Sequence, residues 1–379
     1  MKIAVNTRLL VPSKMDGIGR FTYETLLRIL QEHPDIDFYL IFDRKINEVL
    51  FNFPSNAKYI SLAPQARHPI LWIIWFEYVL KNYLNKHSFD LFLSPEGWIP
   101  PNLKCKSLAV IHDLNFAHYP ENILKSHRMF LNHYFPKYAE RAKRIATVSN
   151  YTKQDLIKTY SLSDDKIDIV YNGANEVFKV AASEEIHRIK TNHGLYNHYF
   201  IFIGTIHPRK NLETLFKAFD QFKSKTQQDI DLVIVGNKKW WPESLEKTFQ
   251  NLTHKKSIHF LGRIDDEELS ILLSGAIALT YIPVFEGFGI PILEAFQCET
   301  AVITSNVTSM PEVAGGAALL CDPFKTFEIA EAMERLSSDA SLRSNLINQG
   351  SERAKHFSWD KSSTLLWESM VKTMEANGS

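Results

Sequence analysis

Short runs of β-branched and aromatic residues alternate with amphipathic stretches almost throughout this chain. Strands that alternate with helices form parallel sheets with helices on both faces. Helical periods lie between the runs, for example from Asn211 to Phe222 and from Asp265 to Leu273. The chain is therefore predicted to be an α/β protein with doubly wound sheets. The predicted strands are Lys2 to Asn6, Phe38 to Phe42, Leu91 to Ser94, Leu108 to His112, Ile145 to Ser149, Ile167 to Tyr171, Tyr199 to Ile203, Leu232 to Gly236, His259 to Leu261, Ile277 to Ile282 and Ala301 to Thr304.

The alternation restarts in the middle of the chain, which predicts two domains. The stretch 175–197 is polar and weakly periodic, so we place the boundary there, with an N-terminal domain over 1–185 and a C-terminal domain over 186–358. A last helix over 359–379, with Ser358 as N-cap, is expected to cross back to the N-terminal domain. Two doubly wound halves should face a central cleft, and ligands should bind at the carboxyl ends of the strands.

Composition excludes several function classes. The 43 basic residues balance the 43 acidic ones, which argues against nucleic acid as the main partner. The three cysteines, Cys105, Cys298 and Cys321, are far apart and fit a reducing cytosol. The N-terminus reads as a first strand rather than a signal peptide, and the longest apolar run, 70–76, is too short to span a bilayer. We therefore expect a cytoplasmic protein.

The segment from Glu286 to Glu294 is the most informative motif. A predicted buried strand precedes it, glycines form its turn, and Pro291 suits the first turn of a following helix. The N–H groups at such a helix start bind anions, while the carboxylates of Glu286 and Glu294 accept hydrogen bonds from hydroxyls. Phosphate and hydroxyl recognition together predict a nucleotide-sugar site.

Arg209 and Lys210 follow another predicted strand and precede a helix. Arginine offers a planar fork for two phosphate oxygens, and lysine offers a compact point charge. Together they could bind a diphosphate and stabilise it as a leaving group. A solvated pair in a loop is the alternative interpretation.

Several N-terminal residues are further candidates. Gly17 and Gly19, which follow Asp16, allow close backbone approach to a diphosphate or an acceptor, although they do not match a dinucleotide fingerprint and could be a structural loop. His112 ends a strand and could contact the donor sugar, act as a general base or serve as a cap. Trp98 could stack on an acceptor sugar or simply pack, and Asn115 is a third predicted acceptor contact.

Two other features have weaker functional interpretations. The pairs Asp35/Asp37 and Asp229/Asp231 have the D-x-D spacing of metal-dependent sugar transferases, but each precedes a strand, so no metal site is predicted. Glu312, in the loop after the strand at 301–304, is either a cap or a hydroxyl-binding residue.

An aromatic helix is predicted from Pro69 to Leu84. A packed core helix is the first interpretation, and a surface helix that dips into a membrane is the second. The basic stretch 125–144 is likewise either a solvated helix face or a patch for anionic lipid. Peripheral contact of the N-terminal domain with the inner face of a membrane follows from the second interpretation in each case.

These motifs resemble the retaining GT-B glycosyltransferases of family four, also called group 1. The resemblance rests on Glu286 to Glu294, on Arg209-Lys210 and on the Gly17/Gly19 loop. Further matching segments are Val148-Ser149, Tyr171-Asn-Gly173, Pro311-Glu-Val-Ala-Gly315 and Phe357-Ser-Trp359, so the resemblance covers nearly the whole chain. Two segments are most similar to bacterial mannosyltransferases of surface polysaccharide synthesis, including lipopolysaccharide. They have the sequences Gly-Thr-Ile-His-Pro-Arg-Lys-Asn (204–211) and Glu-Gly-Phe-Gly-Ile-Pro (286–291).

The resemblance implies roles for individual residues. Glu294 would bind the ribose hydroxyls, Glu286 the hydroxyls of the transferred sugar, and Arg209 with Lys210 the diphosphate. Amides around Phe288, Gly289 and Ile290 would also contact the donor, Arg263 would lie near the base, and His112 would lie near the donor sugar. The family needs neither metal nor other cofactor, and its retention of configuration is explained by front-face attack or, in an older view, by Glu286 as a covalent nucleophile.

We therefore expect a retaining, metal-independent hexosyltransferase that takes a nucleotide sugar, with GDP-mannose preferred, to a glycan or lipid-linked saccharide acceptor. Domain closure is expected to exclude water from the donor. The alternatives are a transferase that uses a UDP-sugar, a nucleotide-sugar epimerase on the same fold, and a non-catalytic protein that binds sugar nucleotides.

Overall fold

The structure is a computed structural model that describes residues 1–11, 15, 17–46, 51–238 and 240–376. The chain forms two compact units. The first unit comprises Met1–Gly173 and Ser358–Ser379, and the second comprises Ala174–Phe357. The two units meet between Gly173 and Ala174, twelve residues before the predicted boundary at 185/186. The polar stretch that suggested a linker contains the helix Ser183–Asn192 of the second unit, in which Ile189 is the one buried residue.

The first unit is built on a seven-stranded parallel sheet in the order β3-β2-β1-β4-β5-β6-β7. Its strands are β1 Lys2–Asn6, β2 Asp37–Phe42, β3 Ala57–Ser61, β4 Leu91–Ser94, β5 Lys106–Ile111, β6 Arg144–Thr147 and β7 Ile167–Ile169. Its helices are α1 Gly17–Glu32, α2 Pro69–Ile73, α3 Lys81–His87, α4 Asn115–His118, α5 Lys125–Arg141 and α6 Asn150–Tyr160, together with the C-terminal helix Trp359–Glu375.

The second unit repeats this plan with a six-stranded parallel sheet in the order β10-β9-β8-β11-β12-β13. Its strands are β8 His198–Ile203, β9 Ile230–Val235, β10 Ile258–Gly262, β11 Ala278–Tyr281, β12 Ala301–Ser305 and β13 Leu319–Cys321. Its helices are α7 Ser183–Asn192, α8 Leu212–Thr226, α9 Glu243–Asn251, α10 Asp266–Ser274, α11 Ile290–Gln297, α12 Met310–Ala314, α13 Thr326–Ser338 and α14 Ala340–Ala354. The C-terminal helix of the first unit is therefore α15.

The predicted doubly wound α/β fold is confirmed, and every predicted strand overlaps an observed one. The strands β3 and β13 were missed. Both are edge strands: β3 is only partly buried and contains a lysine and a serine, and β13 has only three residues, one of them exposed. The central strands could be predicted because they are buried on both faces, as in β9 and β11, and are therefore mostly apolar.

Helix α15 packs on α1 within the first unit. Ser358 caps it, because its hydroxyl accepts from the N–H of Lys361 at 3.2 Å, as predicted. The Trp359 ring meets Phe21 edge-on at 6.3 Å, and Arg28 pairs with Asp360 at 2.5 Å. Residues from the two ends of the chain thus build one core.

The predicted aromatic helix is a continuous helical segment that we call the 69–87 segment. It consists of α2, a π-helical stretch Ile74–Leu80 and α3. One side packs into the core of the first unit through Trp75, Phe76 and Leu80. Within the part of the chain that the structure describes, no helix has the length and apolar character needed to cross a membrane.

Candidate functional site

The turn between β11 and α11 carries the central motif. Gly289 caps α11 with φ +102°, a conformation that favours glycine, and a Cβ there would lie 2.6 Å from Met310 Cε. Pro291 stands in the first turn of α11, as predicted. No side chain caps this helix start among the residues described here. The turn therefore presents a helix N-terminus at the carboxyl end of the sheet, which is where an anion would bind.

Ser309 fixes the path of this turn. Its buried hydroxyl lies 2.9 Å from the carbonyl oxygen of Glu286 and 3.1 Å from that of Phe288, and it donates to them. The residue belongs to the loop after β12, which also leads to Glu312, and its hydroxyl holds the turn from behind. Local pattern could not reveal this, because the contact joins loops of neighbouring strands.

Arg209 and Lys210 both reach the Glu286 carboxylate. Arg209 and Lys210 lie in a short 3₁₀ turn, Pro208–Lys210, after β8. Both donate to Glu286 Oε1, and the backbone N–H of Val284 donates to the Arg209 carbonyl at 2.9 Å. The strands β8 and β11 are neighbours where the strand order of the sheet reverses. This switch point is where open α/β sheets bind ligands, so the topology explains why these side chains meet.

Glu286 is held ionised by its neighbours. It is 7% exposed. Burial alone would raise its pKa, but the charges and hydrogen bonds of Arg209 and Lys210 outweigh that effect and lower the pKa to about 2. At neutral pH the side chain is a carboxylate that accepts hydrogen bonds and cannot serve as a general acid.

Tyr281 completes the cluster and was not predicted from the sequence. Its hydroxyl accepts a hydrogen bond from Lys210 Nζ, which also lies 4.7 Å from the centre of its ring. Burial raises the Tyr281 pKa, and the negative charges of Glu286 and Glu294 raise it further. The phenol therefore stays neutral and fixes the ammonium group beside the carboxylate.

The remaining predicted donor residues lie at the same edge of the second sheet or behind it. Glu294 is in the second turn of α11, and Ile290 is the first residue of that helix. Arg263 is exposed directly after β10. Phe288 is buried, and its ring meets Phe357 edge-on at 5.7 Å, so its side chain packs while its backbone lies in the turn.

In the first unit, His112 and Asn115 follow β5 at the carboxyl edge of the sheet. His112 Nε2–H donates to the carbonyl of Pro95 at 2.9 Å, and the ring meets Phe21 edge-on at 5.2 Å. The N–H of Asn115 donates to the Asp113 carboxylate at 2.9 Å, which starts α4. The side-chain oxygen of Asn115 is buried and has no hydrogen-bond partner within the described residues. A ligand hydroxyl could satisfy it.

Gly17 and Gly19 form the first turn of α1. A methyl group at Gly17 would meet no atom of the described residues within 4 Å, so their packing does not require glycine there. Asp16, which precedes the pair, lies outside the described residues. The open space at Gly17 fits the predicted close approach of a ligand.

A buried polar network at the ends of β1 and β4 was also missed by the sequence analysis. Asn6 donates to the Glu96 carboxylate at 2.6 Å and Arg8 Nε donates to it at 3.0 Å, with Arg8 and Glu96 both under 10% exposed. Strands β1 and β4 flank the point where the order of the first sheet reverses, and Asn6 and Glu96 line a small pocket there. Asn6 and Arg8 are 90 and 88 positions from Glu96 in the sequence, so no local motif could reveal the network.

Trp98 lies just behind this network. It is 7% exposed. The centre of its ring lies 4.5 Å from that of Phe76 and 5.1 Å from that of Trp72, and the Arg8 guanidinium carbon lies 5.3 Å from it. These contacts place the ring in the aromatic core of the first unit. Of the two interpretations offered by the sequence, packing is the one that its surroundings favour.

The carboxylates with D-x-D spacing have structural partners. Asp37 pairs with Lys58 at 2.8 Å, and Asp231 accepts from Asn197 at 3.2 Å and lies 3.1 Å from His259. In the ranges that the structure covers, no three His, Cys, Asp or Glu side chains are grouped as a metal site would require. Glu312 lies in the first turn of α12, where its carbonyl accepts from Arg353 at 2.7 Å.

Family profiles match both units of the chain. The family profile for glycosyltransferase family 4 matches residues 16–177, and the profile for glycosyl transferases group 1 matches residues 183–353. O-antigen chain mannosyltransferase B of Escherichia coli is 29% identical over 282 residues, 74% of each chain. O-antigen chain mannosyltransferase RfbU of Salmonella typhimurium is 26% identical over 314 residues, 81% of this chain and 84% of the relative.

Solved structures share the fold. HepE of Anabaena, determined in complex with UDP-glucose, superposes with a TM-score of 0.75 over 98% of this chain and all of its own, at 15% sequence identity. The two profiles cover both units, and the fold is the GT-B fold of two Rossmann-like domains. The chain therefore belongs to the group 1, family 4 glycosyltransferases.

Proposed function

We propose that this protein is a retaining transferase that moves mannose from GDP-mannose to a glycan or lipid-linked saccharide acceptor without a metal ion. The observation that carries the proposal is the cluster of Arg209 and Lys210 around the buried carboxylate of Glu286 at the switch point of the second sheet. It combines two phosphate-binding cations with a carboxylate that accepts from sugar hydroxyls. A helix N-terminus stands beside it.

The donor diphosphate would bind to the cations and to the start of α11. Arg209 offers several N–H donors and Lys210 three, so each can bind phosphate while still donating to Glu286. As the bond from the sugar C1 to the phosphate oxygen breaks, negative charge grows on the diphosphate. Cations fixed beforehand by Glu286 and Tyr281 stabilise that charge without having to reorganise, and they supply the positive charge that a metal supplies in other transferases.

The acidity of Glu286 bears on how configuration is retained. A carboxylate that accepts from two cations is a poor nucleophile, because attack on C1 would withdraw its charge from both. We therefore favour front-face transfer. The acceptor oxygen bonds to C1 as the phosphate oxygen leaves on the same face, and the acceptor proton passes to that phosphate oxygen. Glu286 then binds hydroxyls of the sugar, and Glu294 binds those of the ribose.

We assign the acceptor to the carboxyl edge of the first sheet. Asn6 and Glu96 lie at the switch point of that sheet, and Asn115 offers a buried oxygen without a partner in the described chain. Arg8 neutralises Glu96, so these polar groups suit a neutral hydroxylated ligand better than a phosphate. A saccharide meets that requirement.

The choice of sugar is supported by the relatives. Two of them carry the name O-antigen chain mannosyltransferase and cover most of their own length in the alignment. UDP-sugars remain the alternative donors, since HepE, which shares only the fold, was determined with UDP-glucose. We place the reaction in the cytoplasm, where the three free cysteines would remain reduced.

Calorimetric titration with GDP and with UDP, each in the presence of EDTA, tests the donor site. Tight GDP binding without metal is the expected result. A preference for UDP would overturn the mannose assignment and keep the site, whereas binding of neither nucleotide would overturn the assignment of the site.

Product analysis tests the reaction. Incubation with GDP-mannose and a mannose-terminated oligosaccharide should yield an α-linked product, read from its anomeric signals by NMR. A β-linked product would exclude retention. A new nucleotide sugar formed without any acceptor would identify an epimerase, and binding without turnover would identify a non-catalytic protein.

A further inference from the structure

The connection between β9 and α9 packs against the chain that follows β8. We call its described residues, 236–238 and 240–242, the β9–α9 connection. The N–H of Ile206 donates to the Asn237 carbonyl at 3.0 Å. A Cβ on Gly236 would lie 2.0 Å from the carbonyl oxygen of Gly204, so glycine is what allows this approach. The two backbones are therefore in direct contact.

Trp241 anchors the β9–α9 connection. Its indole N–H donates to Glu246 of α9, and the centre of its ring lies 5.6 Å from that of Phe260 in β10. Lys238 Nζ lies 3.9 Å from the centre of the same Phe260 ring. Aromatic and cation–π contacts stabilise such a segment beyond the area that they bury. The connection is thus fixed on both sides of Trp240.

Trp240 contacts a different group. The centre of its half-buried ring lies 5.6 Å from the centre of the His207 ring, with an angle of 51° between the two planes. His207 directly precedes the 3₁₀ turn Pro208–Lys210, which carries both cations of the proposed donor site. The anchored connection therefore supports the side chain that begins this turn.

His207 in turn fixes the backbone of the cationic turn. Its Nδ1 accepts from the Arg209 N–H at 3.4 Å, and its carbonyl accepts from the Lys210 N–H at 2.8 Å. A side chain that accepts from the N–H two residues later caps a helical turn. Pro208, between them, has a fixed φ. A shift of the His207 ring would therefore displace the start of both cationic side chains.

Position matters for these cations because they act by preorganisation. Charges that are fixed before the reaction stabilise a diphosphate leaving group without reorganising, and a misplacement of about 1 Å can lower a rate by about two orders of magnitude. Trp240 carries no charge, and its indole N–H is a single hydrogen-bond donor. Its contribution is the contact with His207.

We propose that Trp240 is a positioning residue that holds Arg209 and Lys210 in their phosphate-binding geometry through His207. The inference rests on the proposed function, in which these two cations bind the donor diphosphate. Trp240 then affects the recognition of phosphate groups and leaves the recognition of the nucleoside unchanged.

Displacement of a fluorescent nucleoside diphosphate from the full chain tests this division. GDP and guanosine are compared as competitors, or UDP and uridine if the parent binds UDP more tightly. Trp240→Ala should weaken diphosphate binding about tenfold, roughly the loss of one charge-assisted hydrogen bond, and leave the affinity for the nucleoside unchanged. Equal losses for both ligands would place Trp240 against the base, and no loss for either would leave it without a role. Each of these results would overturn the proposal.

Trp240→Phe separates the ring from the indole N–H. It keeps an aromatic ring against His207, so it should bind the diphosphate within about twofold of the parent. Binding as weak as that of Trp240→Ala would mean that the indole N–H binds phosphate directly, and the positioning role would be wrong. Both variants should keep the melting temperature of the parent to within a few degrees, and the ratio of two affinities measured on one variant does not depend on how much of it is folded.

Trp367→Ala is the matched control in the first unit. The Trp367 ring stacks on His33 with 3.8 Å between the ring centres, so this variant also removes a tryptophan from a histidine. It should bind the diphosphate and the nucleoside as the parent does. A loss equal to that of Trp240→Ala would show that the effect is not local and would contradict the proposal.

A double-mutant cycle tests the route through His207. His207→Ala should itself weaken diphosphate binding, and His207→Ala/Trp240→Ala should lose little more than the larger of the two single losses. Single losses that multiply in the double variant would mean that the two side chains act independently, which would overturn this route.

Failure of the proposed function gives a different result. A parent that binds neither nucleoside diphosphate would overturn the donor site and this inference with it. A parent that binds one of them, with variants that bind it equally well, would overturn the role of Trp240 alone.

Discussion

The hydroxyl of Ser309 lies 2.9 Å from the carbonyl oxygen of Glu286, so a residue after β12 fixes the turn after β11. Ser309 is fully buried and also contacts the Phe288 carbonyl. Ser309→Ala would leave two buried carbonyls without this donor, at a cost of about 1 to 3 kcal/mol in the free energy of unfolding. Glu286 would no longer be positioned, and we expect kcat to fall about tenfold, measured with saturating donor.

Ser305→Ala is the matched control for Ser309. Ser305 is equally buried, but its hydroxyl has no hydrogen-bond partner in the described part of the chain. Its removal should change neither the free energy of unfolding nor kcat appreciably. If the two alanine variants behave alike, the hydrogen bonds of Ser309 have no role in positioning Glu286.

Arg209→Ala should reduce turnover by about two to three orders of magnitude, by analogy with the loss of one electrostatic stabiliser of a transition state. The side chain donates to Glu286 and, in the proposed complex, to the diphosphate. Arg209→Lys keeps the charge but loses the planar fork, so it should recover only part of the rate. Initial rates of transfer with each variant measure the contribution of Arg209. A near-normal rate for Arg209→Ala would remove this residue from the mechanism.

The sequence predicted the central strands and the main chemical residues because both leave local patterns. The buried strand β9 contains the apolar run 232–235, and the Glu286 to Glu294 turn is a contiguous motif. The edge strand β3 is half-exposed and polar, so it resembled a loop.

Contacts between segments that are far apart in the chain could not be predicted from the sequence. Arg209 and Glu286 are 77 positions apart, and the order of strands in the sheet decides that they meet. Tyr281, Arg8 and Glu96 were missed for the same reason. A buried tyrosine or ion pair has no sequence signature until the strands around it are placed.

The acidity of Glu286 gives a pH prediction with a definite sign. Its pKa is lowered from 4.5 to about 2 in the folded protein by Arg209 and Lys210, against the opposing effect of burial. A carboxyl whose folded pKa is depressed contributes stability above its unfolded pKa, and that contribution is lost as pH falls toward the folded pKa. The contribution from Glu286 should therefore be complete above pH 4.5 and decline between about 4.5 and 2.

Urea unfolding of the parent and of Glu286→Gln across this pH range measures the contribution. The difference in free energy of unfolding between the two proteins should stay constant above pH 4.5 and shrink below it. A difference that keeps changing between pH 5 and 7 would mean that Glu286 titrates there and is not held by the two cations.

Gly17 and Gly289 should respond differently to alanine, because only one of them is required by the fold. Gly289 has φ +102°, and a Cβ added there would lie 2.6 Å from Met310 Cε, so Gly289→Ala should strain the turn and lower the melting temperature. At Gly17 the described part of the chain leaves room for a methyl group, so Gly17→Ala should leave the melting temperature unchanged. If a ligand approaches this backbone as proposed, the added methyl should instead raise KM for donor or acceptor several-fold. Unchanged melting and unchanged kinetics in Gly17→Ala would show that no ligand approaches the first turn of α1, and the predicted contact there would be wrong.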